Sequence, residues 1–550
     1  MSNNTKSKKN NFVVQGSILA VAGIIVRLIG MLYRIPLQNR IGDDFMGIYS
    51  AAFQVYNILL LLSSYSLPLA VSKMISARLA VNRYRDARKV FRITLIAAFF
   101  VGTAAALITF FGAHFFAEKV LTEPDTYYAI AALSPAVFIM AILGVFRGYF
   151  QGQGNMVPTA VSQILEQIAN AAISIICGFI LFEVGRNLDV VKGTDIYADA
   201  YAAAGVTMGT VSGAFVALVF FVVLYFVRSG KIKAAIKTEK KRKPESFKYI
   251  LIVLVMTIAP VILSSAVYNI STIVDNSIYG YYMNHIGDSD NYMANWGVYT
   301  GKYTLFINIP IAIASALASS IIPSISAAIA SGKKKQLYKK IELGIRVAMI
   351  VAIPAAIGLA VLGDPIMKLV YPSDNGLAGV LLLIGSGAVM FYSLSTITNA
   401  VLQGIGRMSV PVINATISLI VHVILLVILL YGFNLGIYAV VIANMVFALL
   451  MCIMNAVMIK KVLNYSQEIW YTFVIPLFAG AVMGGVAYGA YKLIYRIYPS
   501  NAAAALIAIV LAVIVYGVIL LLTRCISEND LKAMPMGTKV VRILKKLHLV

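Results

Sequence analysis

The sequence predicts an all-α polytopic membrane protein of about fourteen transmembrane helices, arranged as two parallel six-helix repeats plus two C-terminal helices. Three observations predict it. Apolar runs of roughly 20 residues recur along the whole chain of 550 residues, each long enough for a ~30 Å hydrocarbon core. The loops between them alternate between basic and acidic. Short motifs of the first half return in the second at an offset near 250, as from Gly47 to Gly297.

Composition supports the first point. The chain is 60% hydrophobic and only 12% charged, where a soluble protein carries about 25% charge. The expected spans are 12–35, 45–68, 93–116, 127–147, 158–182, 200–227, 249–279, 298–330, 346–362, 376–402, 411–431, 436–459, 470–494 and 502–523. Lys6, Lys8 and Lys9 before an apolar run mimic a secretory signal. The run is too long, contains Arg27 and lacks a small-residue cleavage site, so it reads as a retained first helix. Cys177, Cys452 and Cys525 lie apart with no C-x-x-C pairing, which points to neither a disulfide nor a metal site.

An even number of spans puts both termini on one side. Placing them in the cytoplasm assigns most of the 45 Lys and Arg to cytoplasmic segments, including 73–92, 228–248, 331–346 and the tail from Arg524. Most outer-loop charges are then acids, such as Glu123, Asp125, Asp195, Asp199, Asp288 and Asp290. This is the positive-inside pattern of a plasma-membrane protein, with some of the excess available to anionic lipid heads. The net charge of +23 is thus a topology signal. No nucleic-acid partner is expected, because the basic loops lack interleaved aromatics and a surrounding binding module.

The repeat rests on four matches in one order. Asn39-Arg40-Ile41-Gly42-Asp43 returns as Asn284-His285-Ile286-Gly287-Asp288. Gly47-Ile48-Tyr49-Ser50 returns as Gly297-Val298-Tyr299-Thr300, and Pro68 with its basic loop as Pro323 with its own. Gln151-Gly152-Gln153-Gly154 returns as Gln403-Gly404-Ile405-Gly406. A unit of six helices enters the membrane the same way up in both copies, the parallel repeat of many secondary transporters. The expected organisation is a cytoplasmic N-terminus 1–11, a first repeat 12–227, a basic cytoplasmic linker 228–248, a second repeat 249–459, helices 13–14 over 460–523, and a basic cytoplasmic tail 524–550.

Ionisable residues inside the spans are the candidate site. A cation near mid-bilayer costs on the order of 3 kcal/mol or more and normally faces a cavity or a partner. Arg27 and Arg34 in helix 1 are seven apart and share one face. Their repeat counterparts, Thr272 and Tyr279, are not basic. Lys302 opens helix 8, where the first repeat has Ala52. Its alternative reading is an interfacial lysine. Gln163, Glu166 and Gln167 form one polar stripe on helix 5, either a cavity wall or an interhelical seam. Asp275 in helix 7 pairs with Arg27 in one reading and serves a coupling cation in the other. Tyr268 and Asn269, beyond Pro260, suggest a hinge. His114 and His422 read as structural. No His, Cys or acid cluster has metal-ligand spacing. The string Gly297 to Tyr303 is one residue short of a phosphate loop, and no strand precedes it, which excludes that motif.

Over Arg147-Gly-Tyr-Phe-Gln-Gly-Gln-Gly154-Asn-Met-Val-Pro158-Thr-Ala-Val-Ser-Gln163-Ile-Leu-Glu166-Gln167 the sequence resembles a known group. It is similar to the oligosaccharidyl-lipid flippase branch of the multidrug/oligosaccharidyl-lipid/polysaccharide exporter superfamily. Within that branch it looks like the stage V sporulation protein B-like members and the Gram-positive lipid II flippases. Arg27-Leu-Ile-Gly30-Met-Leu-Tyr-Arg34 and Pro68-Leu-Ala-Val-Ser-Lys73 add to the resemblance, which spans most of the chain. It implies two six-helix bundles working by alternating access, a cationic cavity for a pyrophosphate and sugar-peptide head, and a groove on helices 13–14 for a polyprenyl tail. It assigns Arg27 and Arg34 to the head, with Lys302 near the expected helix 8 cation. The family's cavity arginine around helix 2 has no counterpart, since 41–72 contains no Arg or Lys.

The resemblance therefore implies a transporter rather than an enzyme. The expected function is a flippase carrying a polyprenyl-pyrophosphate-linked glycan precursor, lipid II foremost, to the outer leaflet. It would be driven by the membrane potential or by Na⁺ or H⁺, with no other cofactor. Its expected partners are the lipid-linked oligosaccharide and membrane lipids, and the chain is expected to act as a monomer. The alternatives are export of another lipid-linked polysaccharide (capsule, teichoic or spore cortex) and cation-coupled drug export. The last needs free carboxylates, and only Glu166 and Asp275 are embedded. An outer-face enzyme would need a sizeable outer loop, and the longest are roughly 183–200 and 280–297.

Overall fold

The computed structural model describes residues 2–239, 244–330, 332, 334–523 and 525, with side chains outside 2–17, 20, 65, 229–235, 237–238, 260–261, 263–269, 323, 327 and 330. The basic run 240–243, the tail from 526, and the side chains of Lys6, Lys8, Lys9, Pro260, Tyr268, Asn269 and Pro323 lie outside the described residues.

Every regular element among the described residues is helical. The principal helices are α1 (Ser2–Ile41), α2 (Asp43–Ala80), α3 (Tyr84–Phe111), α4 (Pro124–Gly152), α5 (Val157–Lys192), α6 (Tyr197–Thr238) and α7 (Phe247–His285). They continue as α8 (Ser289–Ser326), α9 (Lys334–Val370), α10 (Leu377–Gly385 with Gly387–Gly404), α11 (Ser409–Gly432), α12 (Ile437–Leu463), α13 (Trp470–Ile497) and α14 (Asn501–Leu522). Among the described residues twelve helices are long and apolar enough to cross a membrane. A thirteenth is α10, bent by 48°. The remaining expected crossing, 249–279, falls on α7, whose described apolar stretch is Phe247–Ala259. The chain is a multi-pass membrane protein.

The chain divides into two compact units, Met1–Gly297 and Val298–Val550. In the first, glycines let helices approach backbone to backbone, the usual basis of close packing in lipid. Gly148 and Gly152 of α4 lie against Pro68, Val71 and Ile75 of α2. Gly205, Gly209 and Gly213 of α6 lie against α5, with Gly213 on the carbonyl of Glu166. The glycines Gly148 and Gly152 of the helix 4 string thus pack the helix, leaving Arg147 as its charged member.

The first unit reaches beyond the expected boundary at 227, because α7 packs inside it. Ile250 and Leu254 join the core of Phe91, Phe146, Tyr149 and Phe221. Farther along α7, Asn276 donates to Gln54 at 3.2 Å and accepts from Tyr292 at 2.7 Å. Ser277 donates to the Val120 carbonyl at 2.6 Å. A hydrogen bond between membrane helices contributes about 0.6 kcal/mol on average, so these bonds act together with the aromatic core. The linker is fastened as well. Glu245 accepts from Arg78 at 2.5 Å and pairs with Arg83 at 3.2 Å, while its amide donates to Asp86 at 3.0 Å.

In the second unit, α9 packs on α13 and α14 through Ile350, Met483, Ala512 and Tyr516, whose hydroxyl donates to the Ile350 carbonyl at 2.9 Å. A groove of about 580 Å³ opens on α9, α10 and α13, lined in part by Val361, Gly379, Leu383, Gly484 and Tyr488. Deeper in, Asn455 donates to Thr398 at 3.0 Å and to Asn399 at 2.8 Å, and accepts from Asn414 at 2.8 Å.

The repeat is visible in geometry. Gly154 and Gly406 both turn left-handed, at φ 77° and 79°. A β-carbon on Gly152 would sit 2.9 Å from Ile75, and one on Gly404 would sit 2.9 Å from Ile325. Ile75 and Ile325 are 250 apart (325 − 75 = 250), and that register pairs Pro68 with Ala318. The expected match of Pro68 to Pro323 is therefore out of register by five residues (323 − 318 = 5).

Candidate functional site

Arg27, Gly30 and Arg34 follow one another along a single face of α1, spaced i, i+3 and i+7. Arg27 is exposed and forms no ion pair or hydrogen bond among the described residues. It is therefore not the partner of Asp275. Arg34 is held among aromatic rings. One terminal nitrogen donates to the Tyr49 hydroxyl at 3.2 Å. Its guanidinium carbon lies 5.3 Å from the Tyr49 ring centre and 5.9 Å from that of Tyr33, within cation–π range. Tyr33 and Tyr49 join hydroxyls at 3.5 Å. The Arg34 Nε is buried with no hydrogen-bond partner, and no carboxylate neutralises the charge among the described residues. A half-buried guanidinium without a counter-ion is costly and is a feature of sites that receive an anion.

The polar stripe of α5 meets this face. The amide nitrogen of Gln167 lies 3.1 Å from where a β-carbon on Gly30 would stand. The glycine gives this amide room between the two arginines. Gln163 buries its side-chain oxygen without a hydrogen-bond partner among the described residues. Glu166 is paired: Arg147 of α4 donates to it at 2.5 Å and approaches Ser162 at 3.4 Å. Tyr56 of α2 lies close enough to feel both charges. The structure therefore brings Gln163, Glu166 and Gln167 together with the helix 1 face and adds Arg147. That arginine was visible as a charge within span 4, opposite Glu166 in an antiparallel helix pair joined by a short loop.

Lys302 belongs to the second unit. It is 2% exposed and pairs with Asp374 at 2.9 Å, with its ammonium 5.3 Å from the Tyr371 ring centre. Asp374 also accepts from the Gly376 amide at 3.0 Å, which fixes the turn before α10. The charge of Lys302 is spent within the protein, so its geometry fits a structural role. Asp275 is buried on α7 beside the Asn276 bonds. His114 is exposed and stacks on Tyr127 at 3.9 Å, and His422 is buried edge-on to Phe447 at 6.0 Å. In the loop before α4, burial and the neighbouring Asp125 push the Glu123 carboxyl up to about 7.

The family described as polysaccharide biosynthesis protein matches residues 13–329, more than half of the chain, and the MatE family matches 260–428. The chain is 25% identical over 544 residues to stage V sporulation protein B of Bacillus subtilis (strain 168), covering 97% of this chain and 100% of that one. It is 26% identical over 482 residues to the lipid II flippase MurJ of the same organism, covering 85% and 86%. A solved structure of a lipid II flippase MurJ in an inward closed conformation superposes with a TM-score of 0.61 at 15% identity, over 91% of this chain and 97% of that one.

Proposed function

The chain belongs to the polysaccharide biosynthesis protein family, in the multidrug/oligosaccharidyl-lipid/polysaccharide exporter superfamily, and on that premise we propose that it flips a polyprenyl-pyrophosphate-linked glycan precursor, lipid II foremost. The headgroup crosses from the inner to the outer leaflet by alternating access, in a monomer with both termini in the cytoplasm. One observation carries this reading: Arg27 and Arg34 share a face of α1 with no carboxylate to neutralise them among the described residues. An anionic pyrophosphate supplies the missing countercharge, and Gln163 and Gln167 offer neutral hydrogen bonds to the sugars. The groove on α9, α10 and α13 suits a polyprenyl tail.

The energetics agree. Each negative charge leaving a negative-inside cell gains about 2.3 kcal/mol per 100 mV. Drug export by carboxylate exchange is disfavoured, because Arg147 already neutralises Glu166. A spore-wall precursor is the second reading, since the likeness to stage V sporulation protein B runs the whole length of that protein.

The test is complementation of a bacterium depleted of its lipid II flippase. The wild-type chain is expected to restore growth and Arg27→Ala to fail. No rescue by wild type, with rescue of a sporulation-defective strain instead, would assign the spore-wall substrate. Full rescue by Arg27→Ala would overturn the anion site.

A further inference from the structure

Arg147 and Glu166 form an ion pair at the edge of the helix 1 face, and neither is fully sealed. Their side chains are 11% and 24% exposed. The pair is held from behind, since Gly213 of α6 packs against the carbonyl of Glu166 and Ser162 lies 3.4 Å from the Arg147 Nε. The ionisable groups facing Glu166 are few. The α4 helix presents Arg147 and α2 presents Tyr56, while α1, which packs on α5, carries Arg27, Tyr33 and Arg34. Residues 205–217 of α6 contain no ionisable side chain.

We infer that Arg147 is a third guanidinium of the anion site, held by Glu166 in the empty carrier and released to an anionic headgroup as Glu166 takes up one proton. This rests on the proposed function and specifies how its site is regulated. While the site is empty, the carboxylate keeps one cation from standing bare in a low-dielectric setting. An arriving phosphate competes for the same guanidinium, because both anions accept its paired donors. If Glu166 stayed ionised, a carboxylate would then face a phosphate at close range, and the two like charges would repel. Protonation removes that repulsion. By linkage, whatever factor the anion adds to proton affinity the proton adds to anion affinity. Glu166 is in this sense a positioning residue, acting on the ligand through Arg147.

The experiment uses the full chain in nanodiscs and polyprenyl pyrophosphate as probe. Calorimetry in buffers of different ionisation enthalpy reads the protons taken up on binding. Glu166→Gln keeps an acceptor for Arg147 and removes the titrating group. The probe's own ionisation is common to both proteins, so the difference between them reports on Glu166. Wild type is expected to take up about one proton more than Glu166→Gln per lipid bound. Glu166→Gln is expected to bind about tenfold tighter and Arg147→Gln about tenfold weaker. Equal proton uptake by wild type and Glu166→Gln would overturn the inference while leaving the flippase reading intact, as would unchanged affinity in Arg147→Gln. No binding of the probe by wild type would overturn the function itself.

Discussion

Gly47 and Gly297 stand 250 residues apart at equivalent places in the two repeats, and each is fitted against the backbone of the other's helix. A β-carbon on Gly47 would collide with the carbonyl of Met293, and one on Gly297 with the carbonyl of Asp43. Asp43 and Met293 are themselves 250 apart, so this is one contact made twice about a local two-fold axis. Either glycine changed to alanine forces the start of α8 away from α2. The expected cost is about 1–3 kcal/mol, as for other overpacked sites. One outward shift relieves both collisions, so the double variant should cost less than the sum of the singles. Thermal unfolding in detergent checks this, and strict additivity would refute the shared contact.

Arg34 is fixed by ring faces and by a hydroxyl, a setting that suits a planar guanidinium and not an ammonium. Arg34→Lys keeps the charge but should lower headgroup translocation in proteoliposomes by about tenfold or more. Tyr49→Phe removes only the hydrogen bond and should have a smaller effect. Equal activity of Arg34→Lys and wild type would mean that charge alone matters here.

Lys302 and Asp374 form a buried pair in which each neutralises the other. Removing one partner should cost about 3–5 kcal/mol, whereas replacing both with apolar residues of similar volume should cost far less. A Lys302→Met, Asp374→Leu double variant is therefore expected to fold and to complement. If it folds with normal stability yet fails to transport, Lys302 serves the substrate after all.

Glu123 holds its proton up to about pH 7 because of its burial and of Asp125 beside it. The folded state then binds that proton more tightly than the unfolded chain, whose glutamate titrates near the ordinary 4.5. The stabilisation is complete below that ordinary value and is lost as pH rises through about 7. Melting temperature should fall from pH 5 to pH 8 by more in wild type than in Glu123→Gln. Parallel curves would exclude Glu123 as a source of the slope.

Much of the architecture was legible because lipid imposes long apolar spans. The glycine turns at Gly154 and Gly406 also survive in both copies with the same backbone angle. The rest depended on partners that sequence spacing does not reveal. Lys302 looked like an open cation because Asp374 lies 72 residues away in a turn (374 − 302 = 72). Glu166 stands in the sequence as a lone embedded acid because its partner, Arg147, lies on the preceding span. The Pro68 to Pro323 match is out of register, whereas Ile75 and Ile325 are held in register by the glycines they touch.

The place of α7 has a consequence for how the protein is made. Ile250, Leu254 and Asn276 complete the first unit, yet the ribosome reaches them only after six earlier helices and the basic linker. Those helices must wait in the translocon or the surrounding lipid with the aromatic core uncovered on one side and Gln54 without its Asn276 bond. A gene split within the linker would strand α7 on the wrong polypeptide, and the two fragments should accumulate only when co-expressed.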